Sequence, residues 1–316
     1  MRQWPRAVTG RRRGVVLAAA AVLVAALLAG HRLVPDTGWR LGSLLEAFLP
    51  WLGLAVPVLL LGALVRRSVL ATAAVLLPAV VWAALFGGLL LDSGAAATQG
   101  DLTVVQHNVS DENRDPAGTA GALAATGADL IALEELTAPA LPVYEAVLAP
   151  AYPYHAVAGT VGLWSRYPLT DARPVDLKPS GLAADWQRGL RATVRTPRAE
   201  LAVHVAHLPS VRIGPGGFAS ARRDESAARL GAALDAEPLR RVILLGDLNS
   251  TLDDRGLRPL TSRLTPARSG FDLTFPAAFP LARIDQVLCR AVTPVATWTL
   301  PATGSDHLPI AARIGF

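Results

Sequence analysis

The chain has little charge and almost no cysteine. Charged residues make up 17% of its 316 positions and hydrophobic ones 52%. That balance is apolar for a soluble protein and points to membrane segments. A single cysteine, Cys289, excludes an intrachain disulfide and a cysteine-built zinc site. Its apolar neighbours mark it as an inert core thiol. Beyond the first third there is no excess of positive charge. Residues 1–94 hold 9 arginines against 3 acids, whereas residues 95–316 hold 21 basic residues against 22 acids. The second part therefore lacks the basic balance that duplex nucleic acid attracts, and no stable nucleic-acid partner is expected. Also missing are internal repeats, heptads, a long disordered tract, a serine nucleophile elbow and a glycine loop followed by lysine.

What is present first is a membrane anchor. Five arginines stand within residues 1–13, and three uncharged apolar runs follow, at about 14–30, 47–65 and 68–91. Each has the length of a helix crossing a bilayer core. Two further runs follow the first and no small-x-small cleavage site separates them, so an uncleaved anchor is expected rather than a signal peptide. No acid or histidine lies inside a run, which argues against a proton relay. The arginine-rich start and the Arg66–Arg67 turn belong on the cytoplasmic side. Three crossings then put residues 95–316 outside, as the extracytoplasmic domain of a multi-pass plasma-membrane protein. The division is residues 1–94 as anchor and residues 95–316 as a second, outward-facing domain.

In the second part, short strand-like runs alternate irregularly with amphipathic stretches, the pattern of a layered α/β domain with mixed sheets. The run Val242–Leu245 is the clearest strand. Gly246 ends it, and Asp247 and Asn249 follow two apart, as residues on one side of extended chain would. An Asp/Asn turn is the plain alternative. Other runs end the same way, giving the set Asn108, Glu135, His207, Asp247, Asn249, Asp285, Asp306 and His307. Carboxylates, amides and imidazoles suit an enzyme that holds one hard divalent ion and directs water at phosphorus. Arg166 and Arg223 are candidate phosphate contacts, against the alternatives of local pairing and a solvated helix face.

QHN at 106–108, ALEE at 132–135, SRYP at 165–168, AHL at 206–208, GDLN at 246–249, RID at 283–285 and SDH at 305–307 occur in one order. That order resembles the endonuclease/exonuclease/phosphatase superfamily, the DNase I-like metallophosphoesterases. The resemblance implies a four-layered α/β sandwich of two mixed β-sheets flanked by helices, here preceded by three transmembrane helices. It implies Mg²⁺, or Mn²⁺, on Glu135 with Asp306 beside it. Asn108 and Asn249 would hold phosphate oxygens. Asp247 would orient or deprotonate water, Asp285 would fix the tautomer of His307, and His207 would be a second imidazole on the phosphate. Which histidine gives up a proton stays open.

Departures from the pattern matter. The usual glutamine before the ligand is Glu134, so either glutamate qualifies as the ligand, with position favouring Glu135. Ser110 stands where some nucleases carry an acid, and Gln286 follows Asp285 in place of an aromatic. The three-span layout is similar to the membrane-bound VanJ-like branch, which would imply a lipid-linked phosphate or pyrophosphate as substrate. An extracellular nuclease and a non-catalytic sensor of phosphate ligands are the rival expectations.

Overall fold

The structure of the protein, a computed structural model, describes residues 7–91 and 101–316. The arginines at positions 2 and 6 and the linker at 92–100 lie outside the described residues. The chain divides into two compact units after Leu91.

In the first unit, α1 (Ala7–Gly30) and α4 (Val69–Leu91) supply the stretches Gly14–Leu33 and Val69–Leu90, each long and apolar enough to cross a membrane. Neither concentrates its apolar residues on one face, so each is apolar all round. The expected second span, 47–65, departs from one straight helix. There α2 (Leu41–Ala47) meets the run Leu49–Val65, whose regular part is α3 (Ala55–Val65), at a bend of 70°. The cause is local. Leu49–Leu54 forms tight 3-10 turns with Pro50, which has no N–H to donate, in the first turn. Trp82 of α4 donates its indole N–H to the Pro50 carbonyl at 2.7 Å. Gly53 lies beneath that ring, where an added Cβ would stand 2.3 Å from Nε1. Among the described residues there are thus two helices able to span, or three if the bent pair is one span.

The second unit is two six-stranded mixed sheets. One contains β1 (Leu102–Asn108), β2 (Leu130–Glu134), β3 (Tyr154–Ala158), β4 (Val161–Ser165), β13 (Thr293–Thr299) and β14 (Ile310–Gly315), in the order β13-β14-β1-β2-β4-β3. The other contains β5 (Leu169–Pro174), β6 (Gly189–Arg195), β7 (Glu200–Ala206), β10 (Val242–Asp247), β11 (Thr265–Pro266) and β12 (Asp285–Arg290), in the order β11-β12-β10-β7-β6-β5. A small hairpin, β8 (Ile213–Gly214) with β9 (Gly217–Phe218), follows β7. Helices α5 (Pro116–Ala125) and α6 (Leu141–Leu148) cover the first sheet, and α7 (Ala221–Asp235) covers the second, with a short α8 (Arg258–Thr261) beside it.

Alternation along the strands builds the layers. Val104, Ala132, Val203, Val205, Ile243, Leu245 and Val287 point into the space between the sheets. Val105, Ile131 and Leu133 pack outward on Leu123, Tyr144 and Leu148. Leu244 and Leu288 pack outward on Ala227 and Leu230. Cys289 belongs to the inter-sheet core, and burial pushes its thiol up to about 12, so it is inert. The expected four-layered sandwich is the observed architecture.

Candidate active site

The same alternation delivers the polar set. Continuing the inward phase past Val104, Ala132, Val205, Leu245 and Val287 leads to Gln106 and Asn108, Glu134, His207, Asp247 and Asp285. β1 and β2 are parallel, β7 and β10 are parallel, and β12 runs against β10 with Asp247 opposite Asp285. All these residues therefore emerge at one end of the inter-sheet layer, where both cores stop and polar side chains begin.

Hydrogen bonds join the sheets there. Asn108 donates its Nδ2 to Asp247 Oδ2 at 3.1 Å, and Gln106 donates to Asp285 Oδ1 at 3.0 Å and to Glu134 Oε2 at 2.7 Å. Asp285 Oδ2 lies 2.9 Å from His307 Nδ1. Ser305 braces this corner by donating to the Asn108 carbonyl at 2.6 Å and accepting from His307 N at 3.0 Å, so it is a turn residue and not a nucleophile. His307 Nε2 is left facing Asp247 Oδ2 at 3.9 Å. His207 Nε2 faces the same oxygen at 3.6 Å and Glu135 Oε1 at 3.7 Å.

Two backbone features shape the GDLN segment. At Gly246 an added Cβ would lie 1.9 Å from the Ala206 carbonyl oxygen, so no side chain fits between β7 and β10. Asn249 has φ 48, so Asp247 and Asn249 do not meet by strand alternation. They meet through a turn. Asn249 N donates to Asp247 Oδ1 at 2.8 Å, while its Nδ2 donates to the Leu208 carbonyl at 2.9 Å and to Asp247 Oδ2 at 3.1 Å. The plain Asp/Asn-turn reading and the site reading describe one object. Both amides, Asn108 and Asn249, serve in this structure to hold Asp247.

The two adjacent glutamates are now distinct. Glu134 is fully buried at the end of β2, and burial first, then its neighbouring anions, push its carboxyl well above the usual range. Glu135 follows at φ 59, a left-handed conformation that turns its side chain out to the mouth, 24% exposed. Its Oε2 accepts from Asp111 N at 3.1 Å. Strained backbone at a functional group of this kind is held by its surroundings. Glu135 is the more exposed carboxylate of the two, with amide and carboxylate oxygens nearby.

The histidines differ too. Burial works to lower His307, but the carboxylates of Asp285 and Asp247 outweigh it and push it up to about 10. It is an imidazolium paired with Asp285, which is held below its ordinary value despite burial. His207 moves the other way. Burial, then the Arg188 guanidinium, drive it well below its usual value. It is neutral, and its approaches to Glu135 and Asp247 are contacts of an uncharged ring, not ion pairs. Burial pushes Asp247 up to about 7, against the pull of His307. Asp247, Asp285 and His307 also offer ligand atoms within 4.8 Å of one another. Within that trio Asp285 and His307 are hydrogen-bonded, whereas His307 stands 3.9 Å from Asp247, so the three offer a place for a proton or a cation.

Three expectations need correction or relocation. Arg166 follows β4 at the end opposite the mouth. Its N–H donates to the Asp129 carbonyl and its guanidinium lies over the Tyr152 ring, 5.7 Å from the centroid, so it does not reach the site. Arg223 is buried, with Asp254 at 2.7 Å and Asp224 at 2.6 Å. It braces the loop after GDLN from below and is no phosphate contact. Asp306 is exposed at the rim, where its charge acts on His307 from outside the buried set and its carbonyl accepts from Ala277 N. One residue escaped notice in the sequence. Arg188 enters the site beside His207, its Nη1 3.1 Å from Nδ1.

A sequence model of the endonuclease/exonuclease/phosphatase family matches residues 105–307. The chain belongs to this family. Its members are generally phosphoesterases or nucleases. Similar folds occur in the mannosyl-6-phosphatase of Bacteroides thetaiotaomicron (17% identity, TM-score 0.56, covering 68% of this chain and 100% of that one). They occur also in sphingomyelinase C from Streptomyces griseocarneus (20% identity, TM-score 0.52, 68% and 99% covered). A third is humanized D. rerio TDP2 (18% identity, TM-score 0.54, 68% and 99% covered). At these identities the likeness is one of fold. No curated protein sequence matches the chain.

Proposed function

We propose that the protein is a membrane-anchored, divalent-metal-dependent phosphoesterase whose catalytic domain lies outside the membrane and acts on a lipid-linked phosphate or pyrophosphate. The observation that carries the chemistry is the meeting, at one mouth, of Glu135 and His307 from the first sheet with Asp247, His207 and Asp285 from the other, His307 bonding Asp285 across them. Glu135 would hold Mg²⁺ or Mn²⁺, which when bound offsets phosphoryl charge and lowers the pKa of water. Asp247 has a carboxyl near neutrality and takes the proton of the attacking water. His307, fixed and charged by Asp285, donates an N–H to a phosphoryl oxygen or to the leaving group. His207 stays neutral and is a hydrogen-bond partner, which makes His307 the better general acid. Asn108 and Asn249 are positioning residues that keep Asp247 aimed.

Anchoring and sidedness rest on the first unit. Gly14 of α1 abuts Ser68 at the start of α4, and Leu17 abuts Gly62 of α3. At the other end His31 bonds Glu46 at 2.9 Å, close in sequence to Pro50, which meets Trp82. Helices α1 and α4 therefore run the same way, with α3 antiparallel between them. A chain that crosses twice in one direction must return in between, which favours counting the bent pair as the third crossing. Residues flanking α1 and α4 then lie on opposite faces, and the arginine-rich start belongs inside. Tethering raises the effective concentration of substrates in the same bilayer. This layout is also what the VanJ-like branch of the family would supply.

The test is a substrate panel on the full chain in detergent with Mg²⁺ or Mn²⁺: a polyprenyl pyrophosphate, a phospholipid, and single- and double-stranded DNA. Phosphate release from the lipid pyrophosphate, abolished by chelator and by Glu135→Gln, is the expected result. Cleavage of DNA alone would replace this reading with a nuclease. Binding of phosphate ligands without turnover would replace it with a sensor.

A further inference from the structure

Arg188 has an unusual setting for a half-buried arginine. Its backbone carbonyl accepts from His207 N at 2.9 Å, so it stands directly across from His207 at the mouth end of the β6–β7 pair. Its guanidinium packs over the Trp186 ring, 5.4 Å from the centroid, and reaches His207 with Nη1. Glu135, Asp247 and Asp111 act on it electrostatically. Among the described residues, however, no carboxylate lies within 4.0 Å of it. The other buried arginines of this domain contrast with it. Arg191 is paired with Glu237 at 2.8 Å, Arg223 with Asp254 at 2.7 Å and Arg283 with Asp272 at 3.5 Å. Those guanidiniums are bound up in structural ion pairs. Arg188 is fixed by a ring, by an imidazole and by its own backbone, with its remaining donors uncommitted at the site.

The strand order gives its place. Along the mouth of the second sheet come β12 with Asp285 and its partner His307, then β10 with Asp247, then β7 leading to His207, then Arg188 preceding β6. Asp247 is thus flanked by an imidazolium on one side and a guanidinium, one strand further out, on the other.

Resting on the phosphoesterase reading above, we propose that Arg188 is a phosphate-binding residue whose planar fork selects a terminal phosphate over an internal phosphodiester. Oxygen counting carries the selectivity. A guanidinium fork engages two oxygens at once, and the His307 N–H engages a third. A terminal phosphate has three non-ester oxygens and nearly two negative charges at neutral pH. A diester has two such oxygens and one charge, so it can satisfy His307 and only one arm of Arg188. Substrates that end in phosphate, as a phosphate monoester or pyrophosphate does, are therefore favoured. Trp186 prevents the fork from rotating away.

The experiment compares full-length wild type, Arg188→Met and Arg188→Lys on p-nitrophenyl phosphate and bis(p-nitrophenyl) phosphate. Calorimetric titration of each with inorganic phosphate in Mg²⁺ runs alongside. Loss of two charge-assisted bonds against one predicts that Arg188→Met lowers kcat/KM about 100-fold on the monoester and about 10-fold on the diester. Arg188→Lys keeps the charge without the fork and should restore the diester rate but not the monoester rate. Phosphate affinity should fall in both variants. Equal losses on the two esters, or unchanged phosphate affinity, would overturn the assignment while leaving the phosphoesterase reading in place. If wild type hydrolyses neither ester, that reading fails instead, and the phosphate titration alone decides whether Arg188 is an anion grip. Should Arg188→Met fail to fold, Arg188→Lys carries the comparison.

Discussion

Replacing Asp247 by asparagine should make the catalytic domain less sensitive to pH. In the native protein burial raises the carboxyl from its ordinary 3.8 to about 7. Between those two values the folded state holds a proton that the unfolded state has released. Stability therefore falls as pH rises through that window and is flat above it. About three pH units at 1.36 kcal/mol each set an upper limit of ~4 kcal/mol. The neighbouring His307 reduces it, because removing the Asp247 charge also removes one support of the His307 proton. An expectation of ~2–4 kcal/mol follows. The asparagine also places an amide against the donors of Asn108 and Asn249, at a cost of about 1–3 kcal/mol that does not vary with pH. The observable is therefore the change with pH, not the absolute stability. His307 acts in the same direction, its contribution fully present below about 6.5 and lost as pH rises through about 10; the part of that decline reached by pH 7.5 is common to both chains. Thermal unfolding of the full chain in detergent and EDTA, at pH 4 and pH 7.5, measures the difference. Chelation matters, since a bound cation would itself favour the ionised carboxylate. Asp247→Asn should gain on the wild type by on the order of 5–10 °C between the two conditions, at about 2–4 °C per kcal/mol for a domain of this size. Parallel pH profiles for the two chains would mean that Asp247 is an ordinary ionised carboxylate, and its role as the base would lose its physical ground.

Two further outcomes concern the frame around the site. Arg223→Met leaves Asp254 buried without its guanidinium and should destabilise the domain by about 3–5 kcal/mol, read in a denaturant midpoint; an unchanged midpoint with a raised KM would return Arg223 to the substrate. Protease added to intact cells should digest residues 101–316, and complete protection in cells, with cleavage only after lysis, would put the domain on the cytoplasmic side.

The strands that carry the site were legible because period-two alternation survives in them to the last residue, whereas β5 and β13 pair with shifted register. Val104, Gln106 and Asn108 share one phase, as do Leu245 and Asp247, so a core strand and its polar end could be read together. Glu135 and Asn249 are where that reading breaks. Each adopts positive φ and turns its side chain back by a route no alternation specifies. Arginines were the least legible residues. Arg166, Arg188 and Arg223 all stand near polar motifs in sequence, yet one faces the far end, one enters the mouth and one is locked beneath it. What separates them is a partner remote in sequence: Tyr152 for the first, His207 for the second, Asp254 for the third. A usable signal for Arg188 did exist. An aromatic-x-arginine precedes the strand that hairpins with the one ending in His207, and a hairpin brings its two outer ends together. In the first unit the first and third apolar runs coincide with long helices, but the bend in the second was not read, since Pro50 acts there with Trp82 from another helix.

The division of labour in the site follows from which sheet each group comes from. The second sheet carries Asp247, Asp285, His207 and Arg188 on four neighbouring chain segments, and their order along the mouth is fixed by backbone pairing. Glu134, Glu135, His307 and the amides of Gln106 and Asn108 come from the first sheet or the chain leading into it, and Gln106, Asn108 and His307 bond across to the second. Asp285, Asp247, His207 and Arg188 therefore sit on one ladder, whereas His307 and the open carboxylate of Glu135 come from the opposite wall, the latter on a left-handed residue. A small shift of one sheet on the other would move Glu135 relative to Asp247 while leaving the order Asp285, Asp247, His207, Arg188 intact. The cross-sheet bonds of Asn108 and Gln106 oppose that shift. Such a shift would disturb the separation of Glu135 from Asp247 and the His307–Asp285 bond together. It follows that amide substitutions at Gln106 and Asn108 belong with the chemistry, although in this structure neither side chain is free to face a substrate.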